Sequence, residues 1–158
     1  MRLYRITKRK YLTSYSGREK SFQDGARWNS PGFPVLYFGS SPAVALLEMA
    51  NYLPSPRLVP KDYNLGIYEL PSDTKTKTLT IDDLSDDWAN FPYPLSTQLI
   101  GSNWLNSNEE LCLVVPSAAI PEGMENIVIV NPNHPQIGNL KLSYATPNLY
   151  NRRAFKGI

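Results

Sequence analysis

The sequence predicts an α+β fold in a single domain spanning residues 1–158, with a largely antiparallel or split sheet and flanking helices. Three observations carry this reading. Apolar runs of strand length are scattered among only two long helical segments. The strand–helix–strand repetition that builds a parallel sheet is absent. Fourteen prolines are spread through the 158 residues and not gathered in one linker, so turns cut a single unit of ordinary domain size.

The elements follow in chain order. Leu3-Tyr4-Arg5-Ile6 reads as a short first strand, and residues 7–34 read as mostly irregular, punctuated by Gly17, Gly25, Pro31, Gly32 and Pro34. Residues 34–39 are apolar and bounded by turn residues, which predicts a buried strand. Ser41 is a good N-cap and Pro42 suits the first helical position, so a helix opens there; it is expected to run to about Leu53 and stop at Pro54. Residues 64–70 alternate well enough for a strand. The acidic stretch with Asp82, Asp83, Asp86 and Asp87 reads as a helix start or a loop. Residues 95–106 predict a second helix, weakened by Gly101, and residues 111–115 and 127–130 are apolar runs of strand length.

Composition narrows the function classes. Hydrophobic residues are 42% and charged residues 19% of the chain, a globular composition. The net charge of +2 does not by itself argue for nucleic acid. The single cysteine, Cys112, excludes an intrachain disulfide and lies in an apolar run where a thiol behaves as a small hydrophobe. The N-terminus has no apolar stretch of signal-peptide type, and no run approaches the roughly 20 apolar residues that span a bilayer; the expectation is a cytoplasmic protein with no membrane contact. With one histidine, His134, and no HExxH or CxxC pattern, no metal site is expected. Glycine-rich nucleotide loops of the GxGxxG and Walker types are also missing.

Three segments can carry chemistry. In Gly25-Ala26-Arg27-Trp28-Asn29 an arginine sits in a turn-rich loop, where its fork can grip a phosphate; the plainer alternative is a surface arginine beside a core tryptophan. In the strand–helix unit 35–53 the helix is apolar nearly all round, and Glu48 and Asn51, three apart, share a face. A carboxylate in a buried helix needs a partner or a function because an unpaired buried charge is costly; the alternative is a narrow solvent-facing stripe. Tyr37, near the end of the preceding strand, can stack on a planar ligand with its hydroxyl accessible, or be an ordinary strand residue. Finally Ser117 follows a buried strand in Val115-Pro116-Ser117-Ala118. It lacks the context of a hydrolase nucleophile, and a plain turn serine is the alternative.

Taken together these segments resemble the RES domain family, named for its Arg, Glu and Ser. Leu3-Tyr4-Arg5-Ile6 is similar to the family's opening. Gly25-Ala26-Arg27-Trp28-Asn29, Pro34-Val35-Leu36-Tyr37 and Ala45-Leu46-Leu47-Glu48 follow its central motif, and Trp104-Leu105, Val115-Pro116-Ser117-Ala118 and Asn131-Pro132-Asn133-His134-Pro135 its later blocks. Two positions depart: Ala26 stands where the family more often has a second glycine, and Tyr150-Asn151-Arg152-Arg153 lacks an Asp that more often precedes the arginines.

The resemblance implies an ADP-ribosyltransferase-like fold and a toxin paired with an Xre-type helix-turn-helix antitoxin, with nucleic acid contacted only through that antitoxin. It implies NAD⁺ as substrate, cleaved without a metal at the nicotinamide–ribose bond, so that cellular NAD⁺ is depleted and growth stops. Arg27, Tyr37, Glu48 and Ser117 become the expected site: Glu48 stabilises positive charge on the ribose, Arg27 binds a phosphate, Tyr37 stacks on nicotinamide, and Ser117 contacts the ligand or orients Glu48. Water, phosphate or a protein remain open as ADP-ribose acceptor. A ribonuclease toxin using Lys8-Arg9-Lys10 and Arg152-Arg153, or a non-catalytic binding module, are the readings from other classes. The basic stretch from Lys8 to Lys20 is the expected exposed candidate for the antitoxin interface.

Overall fold

The computed structural model describes residues 1–151; Arg152 and Arg153, singled out above, lie outside the described residues. The order of elements is β1 (Arg2–Lys8), α1 (Lys20–Asp24), β2 (Leu36–Gly39), α2 (Pro42–Ala50), β3 (Tyr63–Glu69), β4 (Thr76–Thr78), α3 (Leu95–Ser107), β5 (Cys112–Pro116), β6 (Asn126–Val130) and β7 (Lys141–Thr146). Seven strands form one sheet in the order β4-β5-β6-β2-β1-β3-β7. Every pair is antiparallel except β4 with β5. The α+β expectation and the largely antiparallel sheet therefore hold.

The sheet is nearly divided in its middle. β1 pairs with β3 over seven residues but meets β2 at the single register pair Tyr4↔Gly39. The halves β4-β5-β6-β2 and β1-β3-β7 meet at that junction, and α2 packs against β1, β2 and β6. Gly39 makes the strand-to-helix turn possible: a Cβ there would lie 2.7 Å from the Ala45 amide nitrogen and 2.8 Å from the Ser41 carbonyl oxygen. The helix then begins as its residue types dictate, with Ser41 Oγ accepting from the Val44 amide at 3.2 Å and Pro42 at the first helical position.

The central strands are covered on both faces, which is why they read as continuous apolar runs and not as alternating ones. Along β6, Val128 and Val130 enter one core with Leu3, Leu36, Phe38 and Tyr68, while Ile127 and Ile129 enter the other with Trp28, Val44, Trp104 and Leu113. Two strands have no such signature. β4 is exposed throughout and β7 has no buried residue, because both are edges of the sheet. The supposedly irregular stretch 7–34 contains α1, and the first long helix ends at Ala50 instead of Leu53. The acidic stretch opens with a single 3-10 turn, Ile81–Asp83, held by Asp83 Oδ2 accepting from the Thr80 amide at 2.8 Å; no longer helix forms before α3.

Candidate functional site

Glu48 lies half-buried in the last turn of α2. Its Oε1 accepts a 2.6 Å hydrogen bond from Ser117 Oγ, and its Oε2 a longer one, 3.4 Å, from Asn51 Nδ2 at the helix C-cap. Ser117 itself is fully buried just beyond β5. Its amide donates to the Glu125 carbonyl at 2.9 Å, and its Oγ also accepts from the Ala119 amide at 3.2 Å. The hydroxyl is thus committed at both ends, and with 0% exposure Ser117 has no surface for a ligand. Of the two roles expected for it, orienting Glu48 is the one the geometry serves. This pairing spans 69 residues of sequence and joins α2 to the end of β5.

Arg27 sits in a tight loop whose shape follows from local chemistry. Gly25 at φ +76° and Gly32 at φ +86° bracket it. Between them Ala26 and Asn29 exchange backbone hydrogen bonds of 2.9 and 3.4 Å. Ala26 is not among the positive-φ residues, so the missing second glycine costs the loop nothing. The buried Asn29 ties the turn down through Nδ2, which donates to the Ser21 and Ser30 carbonyls at 2.7 and 3.1 Å. Helix α3 supports the loop from outside: Gln98 Nε2 donates to the Ala26 carbonyl at 3.1 Å, and Ser102 Oγ accepts from the Ser30 amide at 2.9 Å. Gly101, the residue that weakens this helix on paper, lets the loop touch it. A Cβ there would stand 1.9 Å from the Trp28 carbonyl oxygen.

The guanidinium of Arg27 is engaged by a strap of chain, residues 84–94, that leads into α3. Nη1 donates to the Trp88 carbonyl and, at 2.9 Å, to the Asn90 carbonyl; Nη2 donates to the Ala89 carbonyl at 3.1 Å. The Tyr93 ring lies over it, 5.2 Å from centroid to Cζ. Burial lowers the Arg27 pKa from its ordinary value, and Tyr93, Glu48, Tyr52 and Tyr37 act in the opposite direction. A guanidinium keeps its charge under such a shift. Glu48 and Arg27 are therefore electrostatic neighbours without being an ion pair: among the described residues, the ion pairs join Arg2 to Glu69 and Arg5 to Glu19.

Tyr37, on β2, joins the same neighbourhood but differs from expectation. Its hydroxyl is not free. It donates to Asn29 Oδ1 at 2.7 Å and accepts from the Trp28 amide at 3.3 Å, and burial raises its pKa above the phenol's ordinary value. It fixes the Arg27 loop with its oxygen and leaves only its half-buried ring for a ligand. Two further tyrosines were not foreseen. Tyr52, just past α2, and Tyr93, on the strap, share a 2.9 Å hydroxyl–hydroxyl hydrogen bond beside Arg27 and Glu48. The cluster Trp88, Phe91, Tyr93 before the second helix was the available signal for the strap.

The remaining candidates are structural. His134 is buried, and its Nδ1 accepts from the Gln136 amide at 3.1 Å. Cys112 is fully buried, and burial pushes its thiol up to about 12. Arg9 and Lys10 are exposed, as expected for the basic stretch. Among the described residues no group of three His, Cys, Asp or Glu side chains is placed to hold a metal ion, and no helix is long and apolar enough to cross a membrane.

Known proteins share this arrangement of sequence and fold. The RES domain model matches residues 2–149. A protein named Toxin Res from Yersinia enterocolitica is 34% identical over 134 residues, covering 85% of this chain and 86% of that one. A Sphingobium protein named Prs ADP-ribosylating toxin is 31% identical over 134 residues, covering 84% and 81%. Among solved structures, the Mycobacterium tuberculosis MbcT–MbcA toxin–antitoxin complex contains a chain of the same fold, with a TM-score of 0.73 and 22% identity over 94% of this chain and 86% of that one.

Proposed function

The chain belongs to the RES domain family, and from that premise we propose that it is the toxin of a toxin–antitoxin pair and that it breaks the nicotinamide–ribose bond of NAD⁺. The observation that carries this reading is the Glu48 carboxylate, pinned by the buried Ser117 hydroxyl at 2.6 Å beside an arginine and three tyrosines. A carboxylate held in place before the reaction is what an oxocarbenium-like transition state requires, because the stabilising charge then needs no reorganisation as positive charge develops.

In the proposed step the bond between ribose C1′ and the nicotinamide nitrogen breaks, and its electron pair leaves with nicotinamide, which departs neutral. Glu48 faces the charge that grows on the ribose and holds a ribose hydroxyl. Arg27 binds the diphosphate, and the Tyr37 ring stacks on nicotinamide. An acceptor oxygen then bonds to C1′, and the proton it carried passes to solvent. Water or phosphate as acceptor makes the protein an NAD⁺-degrading enzyme that starves its own cell in the cytoplasm. Transfer to a protein acceptor is the second reading, favoured by the Sphingobium relative's name. The partner is an antitoxin, proposed to be of Xre type; the solved toxin–antitoxin complex of the same fold supports a partner of that kind.

Two other classes fit less well. A ribonuclease that uses histidine as its base would have only His134, which is buried with Nδ1 already accepting a hydrogen bond. A purely structural Glu48 would be expected to neutralise Arg27 in the core, but Arg27 turns to the strap carbonyls. The test is to mix the purified protein with NAD⁺ and, separately, with RNA, and to follow each substrate. Loss of NAD⁺ with release of nicotinamide supports the proposal; intact NAD⁺ with degraded RNA overturns it.

A further inference from the structure

Arg27 has more donors than the strap consumes. A guanidinium carries five N–H donors, and three are taken by the carbonyls of Trp88, Ala89 and Asn90. Among the described residues the other two have no hydrogen-bond partner, and a bidentate grip on a phosphate oxygen pair needs two. Arg27 can therefore hold the strap and an anionic ligand at the same time.

The strap is built to respond to what Arg27 holds. Its first part is anchored, since Leu84 and Trp88 pack against the core that contains Val115 and Ile127. Its far end becomes α3 at Leu95. Between these points Ala89, Asn90, Phe91 and Pro92 are exposed. That stretch is tied back by Arg27, by the Tyr93 ring over the guanidinium, and by the Tyr93–Tyr52 hydroxyl contact to the end of α2. Two turn hydrogen bonds lead into this stretch, Trp88 amide to Ser85 carbonyl at 2.9 Å and Asn90 amide to Asp87 carbonyl at 2.8 Å, and both belong to the shape in which Arg27 holds the strap.

We propose that Arg27 is a two-sided tie, holding the 88–90 carbonyls on three donors and a diphosphate on the other two, so that substrate occupancy stiffens the strap and seats Tyr93 and Tyr52 beside the ligand. This rests on the reading of the site as one that binds NAD⁺. It makes Tyr93, Tyr52 and the strap backbone positioning elements, coupled to the ligand through one side chain. A lysine at position 27 keeps a point charge for phosphate but lacks the planar fork that holds three carbonyls together, so it separates the two functions.

The experiment is amide hydrogen exchange across residues 85–93, without and with saturating ADP, which carries the diphosphate but not the scissile bond. In the native protein the Trp88 and Asn90 amides slow by about fivefold or more, the lower end of ordinary coupling between sites. In Arg27→Lys, ADP still binds, more weakly, and the same amides exchange at one rate with and without it. Tyr93→Phe, which keeps the ring but loses the Tyr52 contact, retains part of the slowing. Strap exchange that is unchanged or faster in the native protein at saturating ADP overturns the tie, as does full protection in Arg27→Lys or failure of ADP to bind. NAD⁺ cleavage assayed on the same preparation keeps the two ideas apart: a strap indifferent to ADP in a protein that cleaves NAD⁺ removes the tie and leaves the function standing.

Discussion

Ser117→Ala probes the least obvious part of the proposed site, because Ser117 is fully buried and meets Glu48 through one hydrogen bond. The substitution removes the 2.6 Å hydrogen bond to Glu48 Oε1 and leaves the carboxylate with only the 3.4 Å contact from Asn51 on the exposed helix end. A hydrogen bond to a charged group contributes about 1.5–3 kcal/mol. If that is spent on holding Glu48 where charge develops, kcat for NAD⁺ cleavage falls by about 10- to 150-fold at 1.36 kcal/mol per decade. KM is expected to stay near the native value, since Ser117 is fully buried. Stability changes separately. The Ala119 amide loses its 3.2 Å acceptor, at about 1 kcal/mol, which lowers Tm by about 2–4 °C for a chain of this size. Steady-state nicotinamide release beside a thermal melt reads both effects. An unchanged kcat refutes the positioning role, and a raised KM with native kcat would mean that Ser117 binds ligand directly.

Three further outcomes follow from the same geometry. Gly101→Ala places a Cβ 1.9 Å from the Trp28 carbonyl, so α3 and the Arg27 loop must move apart; the expected loss is about 1–3 kcal/mol in denaturant unfolding, against the gain that alanine gives an unconstrained helix. Tyr37→Phe keeps the ring and deletes both hydroxyl contacts, to Asn29 and to the Trp28 amide; stability falls by about 1–3 kcal/mol, with a larger effect on KM than on kcat because the Arg27 loop loosens, and an unshifted melt would contradict the role given to this hydroxyl. Cys112, its thiol raised to about 12 by burial, resists alkylation in the folded protein near neutral pH. The sign of its linkage is fixed: the buried neutral thiol supports folding fully below the ordinary thiol pKa, and that support is lost as pH rises toward 12, so labelling of the native thiol at pH 8 would show the burial to be wrong.

How much of this was legible in the sequence depended on distance along the chain. Strands β2, β5 and β6 declared themselves because burial on both faces makes a continuous apolar run. Ser41 and Pro42 announced α2 because capping is local chemistry. Edge strands β4 and β7 did not, since exposed strands need no apolar pattern. The helix character of residues 95–107 was legible, but the reason for Gly101 was not: it lies in a carbonyl 73 positions away in sequence, at Trp28. The site shows the same division. Glu48 stood out as a carboxylate in an apolar helix, yet nothing local told that Ser117 would be its partner. Arg27 was visible as a turn arginine, while its three bonds to the strap were not, because they end on backbone carbonyls, which carry no residue signature. For Tyr37 the accessible hydroxyl was misassigned, since it turns inward to Asn29.

The central claim, that Glu48 is the electrostatic partner of a breaking nicotinamide–ribose bond, is tested most directly by NAD⁺ turnover of Glu48→Gln. Glutamine keeps the shape and can still meet Ser117 and Asn51, the groups that hold Glu48, but it carries no charge. The account predicts a folded variant, with a melt close to the native one, whose kcat is lower by roughly 10²-fold or more. Full NAD⁺ cleavage by folded Glu48→Gln would contradict it.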